Sequence, residues 1–343
     1  MYKYIILSTF FYVNTAFTPI WIGKPCEFVS HVKLLFFALS SDTFVYGVSV
    51  RESSLLSYEE SEEISNKCGF SSKANSSHYP WAVSLLLHDQ HRLGGTIISP
   101  YHILTVAHGF MKFQMGSGSS CLAAAYRSID DLHQRVVVYG GQCIRGESDD
   151  HPNHPDCYKA DVYKNKIRSV LLNGDFAAQQ CQNGNDIAII ELEHSIKFNE
   201  RVSPICLPSV RPTIQKTLMV SGWGRSDIFK ESGPKIHEVP MMVDKFCRRP
   251  WSDKLPHEAA DLLCATSMNP TDYNTPRICH GDSGSGMEQR DPKGRATLIA
   301  MTSFGTTGCP ANMLGRFTRV DHYLKPICNY TGLCYSSLEA TTL

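Results

Sequence analysis

The chain has 343 residues, enough for two domains or for one large two-lobed unit around a sizeable core. Its 33 Lys+Arg balance 33 Asp+Glu, so no long-range field favours nucleic acid or anionic lipid, and no nucleic-acid partner is expected. Its 13 cysteines are dispersed from Cys26 to Cys334 with no CxxC pair, which argues against zinc ribbons and thioredoxin-like redox sites and for disulfides formed in an oxidising compartment.

At the N-terminus, Lys3 precedes the apolar run IILSTFFYV, the order found in a secretory signal. Ala16 offers a cleavage point, although Asn14 suits it poorly. Uncharged sequence continues from Tyr4 to Gly23, long enough to span a bilayer, but Asn14, Pro19 and the threonines weaken an anchor. A second signal-like core is KLLFFALSS, at 33–41. Residues 1–41 are therefore expected to be a signal peptide or signal-like segment of a secreted, extracellular protein, with membrane attachment only if it stays uncleaved. Residues 42–67, polar and acidic (SYEESEEISNK), read as a pro-segment or linker.

From Tyr79 the texture changes. PWAVSLLL, GGTIIS, HILTVA, RVVVYG, DIAIIEL, LMVSGWG and ATLIAMTSF are short runs of β-branched and apolar residues separated by Gly, Pro, Asn and Asp. They predict an all-β sandwich or barrel. Helical spacing is scarce and is best matched by VDHYLKPICNY, where Val320, Tyr323, Leu324 and Ile327 share one face. Between about 111 and 177 the rhythm breaks into MGSGSSC and GESDDHPNHPDCYKAD, predicting a long loop insertion tied by disulfides. His151 and His154, with Asp149, Asp150 and Asp156, are metal-ligand residue types. Pro152 and Pro155 fit a solvated, turn-rich loop better, so neither a metal nor a cofactor is expected.

Three segments carry chemistry. ICHGDSGSG (278–286) sets Ser283 among glycines that are costly in a helix or strand but suit a backbone whose N–H groups point outward at an oxyanion. TVAHGF ends an apolar strand on His108, and NGNDIAIIEL begins one at Asp186. A serine hydroxyl needs a base to become a nucleophile, imidazole titrates near neutrality, and the imidazole needs a carboxylate to fix its tautomer.

With these in place, the chain resembles the trypsin/chymotrypsin family of serine proteases. The resemblance runs from about Cys68 to Val320 through PWAVSL, GGTIIS, TVAH, NDIAIIEL, SPICLP, VSGWG, CHGDSG, TSFGTTGC and GRFTRV. The CG pair before PWAVS and the ICNYTGxC tail look like a divergent, nematode-expanded branch. The resemblance implies two packed antiparallel six-stranded β-barrels over residues 68–330, with a short C-terminal helix and a tail at 331–343. It implies a serine endopeptidase in which His108 is the general base, Asp186 orients it and Ser283 attacks, with the N–H groups of Gly281 and Ser283 as the oxyanion hole. Ser303 matches the serine supporting the catalytic carboxylate. Arg277, Gly305 and Gly315 match the base and walls of the substrate pocket. Protein or peptide substrates and protein inhibitors are the partners it implies.

The resemblance also pairs Cys68 with Cys206, Cys247 with Cys264 and Cys279 with Cys309, and leaves Cys328 with Cys334 for the tail. Two family disulfides are missing at both ends, where Leu93, Gly109, Leu218 and Gln289 stand. Cys121, Cys143, Cys157 and Cys181 keep three connectivities open. The first departure from the family is the absence of an Ile-Val-Gly-Gly-like activation segment, whose new amine would pair with the aspartate before the serine, here Asp282. A cut after Lys73 leaves six residues before Pro80, a reach of at most ~20 Å. His91 is then expected to hold Asp282, and a catalytically weak or inactive protease-like binding protein is the second functional reading. The second departure is Arg277 at the pocket base, which argues against Lys/Arg preference. It would pair an acidic side chain, swing to solvent or fill the pocket. Asn75 and Asn329 head two N-glycosylation sequons.

Overall fold

The computed structural model describes residues 44–45, 54–71, 79–115, 121–126, 129–146, 156–178, 183–226, 232–248 and 258–334. The signal-like segment, the Lys73 cut, Asn75, the His151–His154 loop, Cys26, Cys121's side chain, Cys181 and residues 335–343 lie outside what it describes.

In chain order the elements are β1 (Phe44–Val45), α1 (Tyr58–Lys67), β2 (Ala82–Leu87), β3 (Gln90–Ile97), β4 (His102–Thr105), β5 (Met111–Met115), β6 (Cys121–Tyr126), α2 (Ile129–His133), β7 (Arg135–Tyr139), β8 (Tyr163–Asn173), α3 (Gly174–Ala178) and β9 (Ala188–Leu192). They continue with β10 (Thr217–Gly222), β11 (His237–Asp244), β12 (Leu262–Ser267), β13 (Gly286–Arg290), β14 (Ala296–Phe304), β15 (Gly315–Arg319) and α4 (Leu324–Thr331). Strands β8-β7-β2-β3-β4-β9 pair antiparallel in that order, and β9 returns to β8 to close the first barrel, with β1 added outside β8. Strands β10-β11-β12-β15-β14-β13 close the second. Closure leaves none of the twelve barrel strands as an open edge, and β1 is the one edge strand on the first sheet among the described residues. Two six-stranded antiparallel barrels and a short C-terminal helix are the architecture that the family motifs imply.

Continuous apolar runs become the most buried strands: every residue of AIIEL in β9 is buried. The C-terminal helical pattern forms a 3-10 turn (Val320–Tyr323) leading into α4, and Val320, Tyr323, Leu324 and Ile327 are all buried. The expected insertion over 111–177 needs correction. β7 and β8 lie inside it and are barrel strands, whereas β5 and β6 pair in a separate two-stranded sheet and Cys143 is joined to Cys157 outside the strands. β8 escapes a reading by apolar runs because its first half, YKNKIR, exposes its outer face and buries only alternate residues.

The acidic segment before Cys68 is more structured than a linker. Ser57 caps α1 in a reciprocal capping box with Glu60, and Ile64 is buried in the larger hydrophobic core. Arg295 donates to the carbonyls of Ser65 and Cys68 at the helix C-terminus, where a cation complements the dipole. The tail packs on this helix: Ser61 Oγ donates to Cys334 O at 2.9 Å, and Leu56 N to Thr331 O at 3.0 Å. Disulfides close Cys68–Cys206, Cys143–Cys157, Cys247–Cys264, Cys279–Cys309 and Cys328–Cys334. Among the described residues no helix is long and apolar enough to cross a membrane.

Candidate active site

β4 delivers its chain into a 3-10 turn, Ala107–Phe110, that carries His108. Arg135 pins this turn by donating to Gly109 O at 2.9 Å and lying over the Phe110 ring. Asp186 enters from the turn before β9. There Asp261 accepts from Asn185 N at 2.7 Å and from the Tyr323 hydroxyl, which clamps the turn against the start of α4. Asp186 is 1% exposed. Its Oδ1 accepts the His108 backbone N–H at 2.9 Å, and its Oδ2 accepts from His108 Nδ1 at 2.7 Å and from the Ser303 hydroxyl. Burial pushes the carboxyl's pKa up, but the His108 charge and these hydrogen bonds together outweigh it and hold it below the ordinary aspartate value. A carboxylate has no proton to donate, so His108 Nδ1 carries the hydrogen and Nε2 is left as the basic nitrogen.

Ser283 lies in a turn at the mouth of the second barrel. Gly281 (φ 97°) and Gly284 (φ 77°) adopt left-handed backbone that other residues resist. The turn is docked on the first barrel, with Gly94 N donating to Ser283 O at 2.7 Å. A Cβ on Gly284 would stand 2.3 Å from Thr105 Oγ1, three residues before His108. This docking brings the histidine strand and the serine turn to one interface. Gly281 O accepts from His91 Nε2 at 2.8 Å, which fixes the peptide orientation. Among the described residues the N–H groups of Gly281 and Ser283 have no acceptor, as donors reserved for a ligand oxygen would be.

A profile of the trypsin family matches residues 68–327. The chain belongs to the trypsin family. Relatives include the CLIP domain-containing serine protease B8 of Anopheles gambiae (28% identical over 74% of this chain and 64% of that protein) and HP8 of Bombyx mori (25%, over 72% and 64%). The trypsin-like protease try-5 of Caenorhabditis elegans is 29% identical over 66% of this chain and 73% of its own length. The chain thus spans a little under two thirds of the first two relatives.

Several family features are altered here. His91 does not hold Asp282, contrary to expectation. Burial lowers the His91 pKa to about 4, so the ring is neutral; it donates to Gly281 O and accepts from Ser84 Oγ at Nδ1. A neutral ring with both nitrogens engaged cannot neutralise a buried carboxylate. At the first of the two absent disulfides the space is filled by packing. A Cβ on Gly109 would lie 2.4 Å from Leu93 Cδ2, so Leu93 occupies the space between those positions. Leu218 is buried, and Gln289 is hydrogen-bonded to Thr213 O and Gln215 N.

Of the residues expected to form the substrate pocket, Arg277 donates from Nε to Cys309 O at 2.6 Å, and from Nη1 to Tyr273 O at 2.6 Å and Thr275 O at 3.3 Å. The guanidinium is therefore tied to protein carbonyls. A Cβ on Gly305 would meet open space, whereas one on Gly315 would lie 2.5 Å from Ile278 Cδ1. Sequence reading gave Tyr323 only as part of an apolar helix face and did not pick out Asp261, because their contact joins distant elements.

Proposed function

We propose that this trypsin-family chain is a secreted serine endopeptidase using His108, Asp186 and Ser283 as its triad. Ser283 Oγ attacks the scissile carbonyl while His108 Nε2 takes its proton; Asp186 keeps its negative charge and holds the imidazolium. The N–H groups of Gly281 and Ser283 receive the developing oxyanion. His108 then returns the proton to the leaving amine, and water repeats the sequence on the acyl-enzyme.

The observation that carries this reading is the buried carboxylate of Asp186 bonded at once to the His108 ring, the His108 backbone and Ser303. A surface evolved only for binding has no need of such a fixed tautomer. Five disulfides support an extracellular site of action. The fixed positive charge of Arg277 supports exclusion of Lys and Arg from the primary pocket, and its carbonyl partners leave it no requirement for an acidic side chain. Protein or peptide substrates, with protein inhibitors, are the partners this reading entails.

The test is labelling of the purified chain with a fluorophosphonate, alongside Ser283→Ala. Specific labelling abolished by that substitution is expected. Absence of labelling in both intact chain and chain nicked within residues 72–78 would refute the enzyme and favour a protease-like binding protein.

A further inference from the structure

Asp282, immediately before the nucleophile, has 0% of its side chain exposed. A carboxylate so placed costs several kcal/mol unless it is both hydrogen-bonded and paired. Two donors come from backbone: Gly224 N reaches Oδ1 at 3.0 Å and Cys279 N reaches Oδ2 at 2.9 Å. Neither brings a full charge. The charge partner is His237, whose Nε2 lies 3.4 Å from Oδ1. Among the described residues it is the one basic side chain within ion-pair distance of Asp282. The Nε2 atom is itself buried and makes no hydrogen bond among the described residues, so its approach to Oδ1 is one of ion-pair distance.

The surroundings are built for this pair. His237 begins β11 opposite Gly222 of β10. A Cβ on Gly222 would stand 2.8 Å from Asp282 Oδ1, and one on Gly224 2.4 Å from the same oxygen. Glycine at both positions clears the space through which the carboxylate meets the imidazole. The other titratable groups facing the site are few. His91 from β3 is held neutral by burial, Arg145 donates to Ser232 O at 2.7 Å, and Lys235 is paired with Asp156.

We propose that His237, as imidazolium, is the built-in counter-cation of Asp282, and that this pair holds the Gly281–Ser283 turn with its N–H groups outward in the uncut chain. It is a positioning residue, acting through Asp282 on the oxyanion donors. The inference rests on the serine endopeptidase reading and adds to it a form of regulation: activity without a new amino terminus, governed by pH. Burial pulls the His237 pKa down, but the Asp282 carboxylate outweighs it and raises the pKa above the ordinary imidazole value. For a raised base, the ordering is fully present below about 6.5 and is lost as pH climbs through the folded value. His108 must be neutral to act as base, so activity rises with pH at the acid end and falls at the alkaline end as His237 loses its proton.

The experiment uses the full chain, with mass spectrometry confirming that it is uncut. Fluorophosphonate labelling rates are measured from acid to alkaline pH for wild type, His237→Gln and His237→Lys. Wild type is expected to label uncut, with a falling alkaline limb. His237→Gln is expected to lose about 10²-fold, the scale of a lost oxyanion donor. His237→Lys is expected to recover most of that loss and to move the alkaline limb up by more than about one pH unit, because an amine replaces an imidazole. Unchanged labelling in His237→Gln overturns the inference, as does a His237→Lys protein with no recovery or an unmoved limb. A readout independent of catalysis is the NMR titration of His237 in Ser283→Ala: its midpoint should exceed about 6.5 and fall when Asp282→Asn is added. A midpoint at or below that value overturns the pair. If only nicked chain labels, the inference fails and the protease stands; if neither form labels, the protease reading itself fails.

Discussion

Glu288→Gln tests whether burial energetics between the barrels have been read correctly. Glu288 sits on β13, five residues beyond Ser283, and is 2% exposed. It accepts from Trp81 Nε1, at the entry to β2, at 2.7 Å and pairs with Arg290 at 2.9 Å. Arg290 in turn lies over the Tyr79 and Trp81 rings. Burial raises the Glu288 pKa from 4.5 to about 7, against the opposing pull of Arg290 and Trp81. The folded chain therefore binds this proton more tightly than the unfolded chain does. Stability from this group is fully present below about 4.5 and is lost as pH rises to about 7, with a total near 3 kcal/mol from roughly 1.4 kcal/mol per pH unit. Glutamine still offers Trp81 an acceptor oxygen but takes up no proton. Urea unfolding of disulfide-intact Ser283→Ala protein, with and without Glu288→Gln, at about pH 5 and pH 8, measures the difference. The substitution should improve relative stability at the higher pH by about 2–3 kcal/mol compared with the lower. A pH-independent difference between the two proteins would refute the reasoning.

Asp186→Asn should lower the labelling rate about 10⁴-fold at neutral pH, the established size of this exchange in the family's triad, because an amide N–H facing His108 Nδ1 forces the wrong tautomer; substrate KM should change far less. Gly281→Ala should cut the labelling rate by more than about tenfold while the protein stays folded, since φ is 97° and a Cβ would lie 2.9 Å from Gly224 Cα. Leu93→Ala should cost about 2–5 kcal/mol in urea unfolding, because Leu93 is 1% exposed and occupies the space beside Gly109. Peptide substrates with Lys or Arg before the scissile bond should show kcat/KM at least about tenfold below matched apolar ones, from an unpaired like charge beside Arg277; equal turnover would count against the pocket assignment.

Local residue choice sufficed for much of this. The apolar runs revealed β2, β4, β9, β10 and β14, because a buried strand needs several consecutive apolar residues whatever it packs against. His108, Asp186 and Ser283 were legible because strand ends and a glycine turn are local signals, and the glycines at 281 and 284 announce backbone that only they adopt readily. Other outcomes required three dimensions. Half-polar β8 belongs to the barrel because its neighbours β7 and β9 bury one of its faces, a fact of pairing rather than composition. The acidic run before Cys68 became α1 because Ile64 found a core and Arg295 found its C-terminus. The same holds for the partner of Asp282. Any reader of the chain can see that a buried carboxylate needs a cation, but the choice of His237 over His91 follows from strand register and from which ring keeps its proton once water is excluded. Sequence determines which groups are available; electrostatic pairing depends on distance and burial, which exist only once the barrels have closed.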